Sequence, residues 1–371
     1  MSVRGIVAVS LCILLSGHAM AAPPSPSDAA VAPAALDLTS AIDSGWQEAV
    51  ISVSNAQPLL RFFRDIAGWQ VGPSRPMPLP TRQFYLGNGL AGSALQSLPA
   101  ASAREWLVTD KAGKPGFIRV VELGSSTARP LRAGAMPWDT GGILSLMTRS
   151  NATTRVFDAA LAAGWSAVNE PVEFTMTDTG VKLSNVILRG PDGVHISIYE
   201  RLQPRMPDEP DLQRLRRPFN SMQSVRDIGA ARRFYTEVLG FEILNSGDFV
   251  NAVRLPNNFA VPANLVVAAP LPFAIMGPRK TGPTQVEVVQ LRGVEGRDLA
   301  ARADPDKNLG IIALRFPVSD LQAVQQRILA AHWPLARSPT ELDIVPYGRV
   351  TLLAVKSPDG AWLEFFTAKS P

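Results

Sequence analysis

The sequence is poor in the side chains that carry thiol and metal chemistry. Its 371 residues include one cysteine, Cys12, and three histidines, His18, His195 and His332. Cys12 sits inside an apolar stretch, Ile6 to Leu15, which follows Arg4 and leads to Ala19-Met20-Ala21, the small-x-small pattern of a signal-peptidase site. Residues 1–21 are therefore expected to be a secretory signal, and the protein to be exported, periplasmic or secreted. Removal of Cys12 with that segment excludes disulfides, thiol catalysis and thiolate metal sites from the mature chain. Charge of one sign is missing too: 36 basic residues face 32 acidic ones. The densest basic stretch, Arg201 to Arg217, is interleaved with Glu200, Asp208, Glu209 and Asp211, so nucleic acid is not an expected partner. Beyond the N-terminus no run approaches the roughly 20 apolar residues of a membrane span. What remains is an ordinary globular composition, 46% hydrophobic and 18% charged, long enough for two or three domains. The stretch 22–45, opening with Pro, Ala and Ser, reads as a flexible lead.

The organising feature is internal repetition. Val53-Ser54-Asn55, Phe62-Phe63 and Gly68-Trp69 recur 172 residues later as Val225-Arg226-Asp227, Phe234-Tyr235 and Gly240-Phe241. Ala162-Ala163-Gly164-Trp165 recurs as Ala330-Ala331-His332-Trp333, offset by 168, and Pro191-Asp192-Gly193 as Pro358-Asp359-Gly360. Each copy contains the same rhythm twice: a short strand, an amphipathic helix, then strands broken by turn residues. In the third unit the strand is expected over Phe219 to Val225 and the helix over Ile228 to Leu239, with further strands near Phe241 to Leu244, Phe249 to Leu255, Ala263 to Ala268 and Gln285 to Leu291. In the fourth, a strand at Gly310 to Phe316 precedes a helix at Asp320 to Ala331 and strands near Arg349 to Lys356 and Ala361 to Thr367. Pro358-Asp359-Gly360 reads as a hairpin turn.

Val225-x-Asp227, Phe234-Tyr235, Leu239-Gly240-Phe241 and Ser357-Pro358-Asp359-Gly360-Ala361-Trp362-Leu363-Glu364 together resemble the vicinal oxygen chelate superfamily, which includes glyoxalase I, bleomycin-resistance proteins and extradiol dioxygenases. The resemblance implies an α+β fold of four βαβββ modules forming two paired-module domains, 46–207 and 208–371, each curled around a cavity. It also implies metal ligands on the first and last strands of paired modules. Those positions are expected at Glu48, Arg119, Ile143 and Ser197 in the N-terminal cavity, and at Asn220, Glu287, Ile311 and Glu364 in the C-terminal one, with modules two and four given longer connections.

A guanidinium has no lone pair, so the first set does not suit a divalent ion. Glu48 and Arg119 are expected to pair instead, either as a structural ion pair or with Arg119 anchoring a substrate carboxylate or enolate. Alternation along the last strand adds His195 and Tyr199 to the face of Ser197. His195 is either a catalytic base or a hydrogen-bonded strand residue. His332 falls at a helix end. In the second set Glu287 and Glu364, with Asn220, either form a poor oxygen-ligand cage or act as a carboxyl pair in which one member is held near neutral pKa as a base, alongside the bland alternative of an idle solvated carboxylate. The turn Trp138 to Gly142 is expected to cap a strand entry, with Asp139 as a second option at the cavity mouth. No cofactor is expected, and metal at Glu287 and Glu364 is disfavoured. Two functions stand side by side: a metal-independent isomerase or lyase of a small oxygenated molecule, with catalytic residues Glu364, Glu287 or His195 and binding residues Arg119, Glu48, Tyr199 and Asn220, or a non-catalytic binding protein of the bleomycin-resistance type. Monomer and homodimer are both compatible, since paired modules lie within one chain.

Overall fold

Four helix starts and stops show how local sequence sets the modules. Asn55 caps the helix Ala56–Arg61 by accepting from the Gln57 amide at 3.0 Å, and Asp227, its counterpart in the repeat, caps Ile228–Arg233 from Gly229 and Ala230. Both helices run on as π-helical turns, Phe62–Ala67 and Phe234–Val238. Gly68 and Gly240 follow them with φ of +75° and +73°, a left-handed conformation that glycine adopts without a Cβ penalty. The computed structural model describes residues 34–86, 103–124, 127–176, 179–207, 210–249, 254–266, 270–279 and 281–368. The signal segment 1–21, with Cys12 and His18, lies outside the described residues, as does the first half of the proposed lead, 22–33.

Module 1 contributes β1 (Glu48–Ser52), β2 (Gln70–Val71), β3 (Arg75–Pro76), β4 (Arg104–Thr109) and β5 (Phe117–Glu122), and β6 (Arg129–Pro130) follows. Module 2 has β7 (Ser145–Arg149), the helix Thr153–Ala162, β8 (Ser166–Ala167), β9 (Val172–Thr175), β10 (Lys182–Arg189) and β11 (His195–Gln203). Module 3 has β12 (Asn220–Ser224), β13 (Glu242–Phe249), β14 (Leu271–Gly277) and β15 (Gln285–Val289). Module 4 has β16 (Asn308–Pro317), the helix Leu321–Ala330, β17 (Leu335–Ile344), β18 (Gly348–Lys356) and β19 (Trp362–Ala368). The expected strand near Ala263 is instead a short helix, Ala263–Val266, and β17 had no counterpart in the sequence reading. His332 does follow the last helix, with φ of +56°.

The strands form two mixed sheets, ordered β17-β18-β19-β16-β1-β5-β4-β2 and β13-β14-β15-β12-β7-β11-β10-β8. Module 1 therefore pairs with module 4, and module 2 with module 3. This corrects the expectation that each half of the chain closes its own cavity: both sheets draw strands from both sides of residue 207. The seams are antiparallel pairings of first strands, Glu48 opposite Arg315 in one sheet and Asn220 opposite Met147 in the other. The helices pack by the other rule. Phe62 stacks on Trp165 at 4.0 Å and Phe234 meets Trp333 at 5.0 Å, so neighbouring modules in sequence share aromatic contacts while their strands separate.

Alternation distributes the core accordingly. One face of each sheet, with Ala49, Ile51, Ile118 and Val120 from module 1 and Val286 and Val288 from module 3, packs in the large cluster that includes the helices. The concave face of the 1/4 sheet carries Val50, Tyr85, Val121, Leu352 and Trp362, and that of the 2/3 sheet Met147, Met222, Phe259 and Leu271.

Candidate functional site

The two concave faces carry equivalent positions with opposite contents. On the 1/4 sheet the side chains are Glu48, Arg119, Arg315 and Glu364. Glu48 accepts from Arg119 Nε at 2.7 Å and Nη2 at 2.9 Å, from the Tyr347 hydroxyl at 3.1 Å, and from Arg315. Arg119 also meets Glu105 at 3.2 Å and the Val345 carbonyl at 2.6 Å. Arg315 donates to Glu364 at 2.7 Å and to the Tyr85 hydroxyl, and Trp362 Nε1 donates to Glu364 at 3.2 Å. Burial pushes the Glu48 carboxyl up, but Arg119 and Arg315 outweigh it and hold the group below its ordinary value. Glu364 goes the other way, raised by burial and by the Glu48 charge against the pull of Arg315 and the Trp362 hydrogen bond. The donors and acceptors of this quartet face one another, which leaves Arg119 no open donor pair for a substrate carboxylate.

The positions expected at Ile143 and Ile311 are in fact Met147 and Arg315. The helix caps Ala152 and Asp320 come five residues after these positions, against seven from Glu48 to Asn55 and from Asn220 to Asp227, so the connections in modules 2 and 4 are shorter and not longer. Ile143 and Ile311 belong to the apolar core. The expected Glu287–Glu364 pair does not form either, because the two residues lie in different sheets.

The concave face of the 2/3 sheet is open. It encloses a cavity of about 220 Å³ whose walls include Met147, Phe174, Phe219, Phe249, Phe259 and Phe273. Phe174 on β9 and Phe249 on β13, from opposite ends of the sheet, meet edge to face at 5.6 Å, so the sheet curls fully around the space. Glu287, Asn220, Tyr199, Asn245, Asn258 and Arg149 are its polar lining. Glu287 has Asn220 Nδ2 at 3.4 Å as its hydrogen-bond partner. Its accessible area is partial only because it opens onto the cavity; protein surrounds it, and this burial pushes its carboxyl up to about 7. Tyr199 is also raised, by burial and by Glu287, with Ser197 and Asn258 opposing, so its phenol keeps its proton. Asn185 donates to Ser197 at 3.0 Å.

Three of the seven residues singled out in sequence, Glu287, Asn220 and Tyr199, thus share one cavity, while Glu48, Arg119 and Glu364 join Arg315 in the closed quartet. His195 joins neither. Burial and the nearby Arg132 and Arg189 lower its pKa to about 3, and its Nδ1 lies 3.0 Å from the Gly193 carbonyl. Asp139 is held by Arg297 at 2.7 Å and by the Met136 and Arg297 amides, which makes it part of a turn and not of a cavity mouth. A larger groove of about 460 Å³ crosses the outer surface beside Trp69 and Arg155. Its Arg155 and Arg214 donate to backbone carbonyls, and its one buried carboxylate, Asp110, is already paired with Arg217 at 3.3 Å. Arg315 and Arg149 escaped the sequence reading; carrying the 168 offset back from Arg315 to Met147, then stepping two along the strand, would have reached both.

Neither donor set fits a divalent cation. Two guanidiniums occupy the first, and the second offers one carboxyl beside an amide, a hydroxyl engaged with Asn185, and a thioether. Among the described residues no group of three His, Cys, Asp or Glu side chains could hold a metal ion, and no helix is long and apolar enough to cross a membrane.

The family model described as Glyoxalase/Bleomycin resistance protein/Dioxygenase superfamily matches residues 220–365. Residues 220–365 belong to this superfamily. The fold agrees over most of the chain. Glyoxalase I from Zea mays superposes with a TM-score of 0.55 at 13% identity, covering 88% of this chain and 92% of that one. A putative dioxygenase from Bacillus subtilis subsp. subtilis str. 168 gives 0.51 at 13% identity, covering 88% and 86%. No curated protein sequence matches the chain. The chain shares architecture with those structures, and architecture alone does not carry an activity.

Proposed function

We propose that this glyoxalase-superfamily protein binds a small oxygenated organic molecule in the cavity between modules 2 and 3, and that Glu287 acts there, without a metal ion, as the base that removes a proton beside a carbonyl group. The observation behind this reading is the Glu287 carboxyl, opening onto an apolar cavity, partnered by Asn220 and poised at about 7. A base with a pKa near the working pH combines a populated carboxylate with useful proton affinity. The proton would pass from the α-carbon to Glu287, and the electron pair into the carbonyl oxygen. Neutral donors lining the same space, the Tyr199 hydroxyl and the Asn258 amide, suit the developing enolate. Return of the proton to a different carbon gives an isomerase; loss of a leaving group gives a lyase. The Arg4, apolar run and Ala19-Met20-Ala21 pattern support export before folding.

Hydrogen exchange tests the chemistry directly. Incubated in D₂O with 2-hydroxyacetophenone, a one-ring α-hydroxyketone, the protein should catalyse exchange of the carbinol protons seen by proton NMR, and Glu287→Gln should abolish it. Equal exchange by both proteins would remove Glu287 from the role. The phenylalanine walls favour a second reading, binding without turnover, in which the probe is held but neither protein exchanges its protons.

A further inference from the structure

We propose that the cavity between modules 2 and 3 takes a small aromatic monocarboxylate, with Arg149 as the anchor for its carboxylate group. This rests on the reading of that cavity as the working site and names its substrate class. Arg149 lies on β7 two residues beyond Met147, so both point from the same face into the cavity. Its guanidinium carbon sits 4.2 Å from the centre of the Phe219 ring. Among the described residues no carboxylate forms an ion pair with it.

The contrast with the other interior arginines makes this unusual. Arg119 and Arg315 are locked in the quartet, Arg132 donates to the Gly141 and Asp139 carbonyls at 2.8 Å, and Arg189 to the Ala135 carbonyl at 2.7 Å. Arg149 is left facing an apolar space, with Arg201 and Arg216 adding positive charge from the same end. A guanidinium withdrawn from water with open donors is unfavourable until an anion meets them, and its planar fork matches a carboxylate.

Glu287 does not supply that anion. Through the register Met222 lies opposite both Glu287 and Ser145, so Arg149 is two strands across and four residues along from Glu287. That is about 10 Å by about 13 Å on the sheet at the usual strand spacing and rise. Tyr199, directly opposite Arg149 on β11 and influenced by both charges, lines the same cavity. A ligand bridging the two ends would place its anionic group on Arg149, its ring among the phenylalanines and its acidic carbon toward Glu287. Of the three arginines at this end Arg149 alone lines the cavity, and with a titrating carboxyl at the far end this favours one negative charge on the ligand over several, while 220 Å³ limits the body to about one ring.

The test is calorimetric titration with phenylacetate and with its neutral counterpart phenylacetamide, below pH 7 where Glu287 carries its proton. The groups facing Glu287 across the cavity are Asn220, Tyr199 and Arg149, of which only Arg149 is charged there. Phenylacetate is expected to bind about 10- to 100-fold tighter, the range of a charge-assisted hydrogen-bonded pair. Arg149→Met should erase the preference and Arg149→Lys restore part of it. Equal binding of the two compounds by the native protein, a preference that survives Arg149→Met, or no saturable binding of phenylacetate would each overturn the proposal. Because these readings use the native protein and Arg149, they are independent of Glu287: if hydrogen exchange proves insensitive to Glu287→Gln while the carboxylate preference holds, only the base assignment fails.

Discussion

Replacing Glu287 by Gln should make the protein more stable, and increasingly so as pH rises. The ordinary carboxyl value is 4.5 and the folded value is about 7. The folded state therefore binds its proton more tightly than the unfolded chain. Below pH 4.5 both states hold the proton and the difference contributes nothing; between 4.5 and 7 the unfolded state releases it first, so stability falls; above 7 the full penalty applies. At 1.36 kcal/mol per pH unit the gap between 4.5 and about 7 amounts to about 3 kcal/mol, and water entering the cavity reduces this to about 1–3 kcal/mol. Glutamine is nearly isosteric and can still pair with Asn220. Urea unfolding of both proteins from pH 4.5 to 8.5 isolates the effect, since every other titrating group is common to the two. The reasoning requires the stability difference to widen with pH through this window and then level off. A difference that is constant with pH, or one that favours the native protein at pH 8, would refute the burial of Glu287 as the cause of its raised pKa.

Other perturbations probe the rest of the frame. Arg315→Met leaves Glu48 and Glu364 facing one cation fewer, and should cost about 3–5 kcal/mol in chemical denaturation, much of it recovered when Glu364→Leu is added. Recovery that does not occur would show that the quartet is not held by charge compensation. Tyr199→Phe should slow hydrogen exchange about 100-fold with little change in probe affinity, and an unchanged rate would remove the hydroxyl from enolate stabilisation. Gly141→Ala places a Cβ 2.7 Å from the Leu299 carbonyl carbon at φ of +103°, so a loss of about 2–4 kcal/mol is expected, and a melting temperature unaltered by the change would contradict the turn geometry.

Much of this arrangement could be read from residues. The duplication placed Asn55 with Asp227 and Gly68 with Gly240, and the matching caps and left-handed glycines are the structural form of that likeness. Alternation put Tyr199 on the cavity face, and the first- and last-strand positions of one module brought Asn220 and Glu287 together at 3.4 Å. What repetition does not contain is adjacency. Offsets tell which segments are alike, whereas the pairing of β1 with β16 joins residues some 260 positions apart and is decided by which apolar faces can be covered together. The assumption that neighbours in sequence pair was natural, and it holds for the helices through Phe62 and Trp165, but not for the strands. That error joined Glu287 to Glu364 and set module 1 apart from module 4, while the connections taken as too long in modules 2 and 4 hid Arg315 and Arg149.

The two concave faces are two answers to one problem, since a carboxyl removed from water must either be matched by a cation or retain its proton. On the 1/4 sheet Glu48 and Glu364 are matched by Arg119 and Arg315, and this happens at the seam itself, where Glu48 stands opposite Arg315 and pairing continues to Ser52 opposite Gly310. The quartet therefore fastens the first module to the last and fills the space where a ligand would lie. On the 2/3 sheet the seam is shorter, Asn220 to Met222 against Met147 to Ser145, and the equivalent positions hold an amide, a thioether, a hydroxyl and one unmatched carboxyl. Nothing there closes the cavity, and Glu287 takes the second answer. The same duplication that supplied two concave faces has thus given them opposite contents: compensation closes one, while its absence leaves the other hollow, with a carboxyl raised to about 7 at one end and a guanidinium without a carboxylate partner among the described residues at the other.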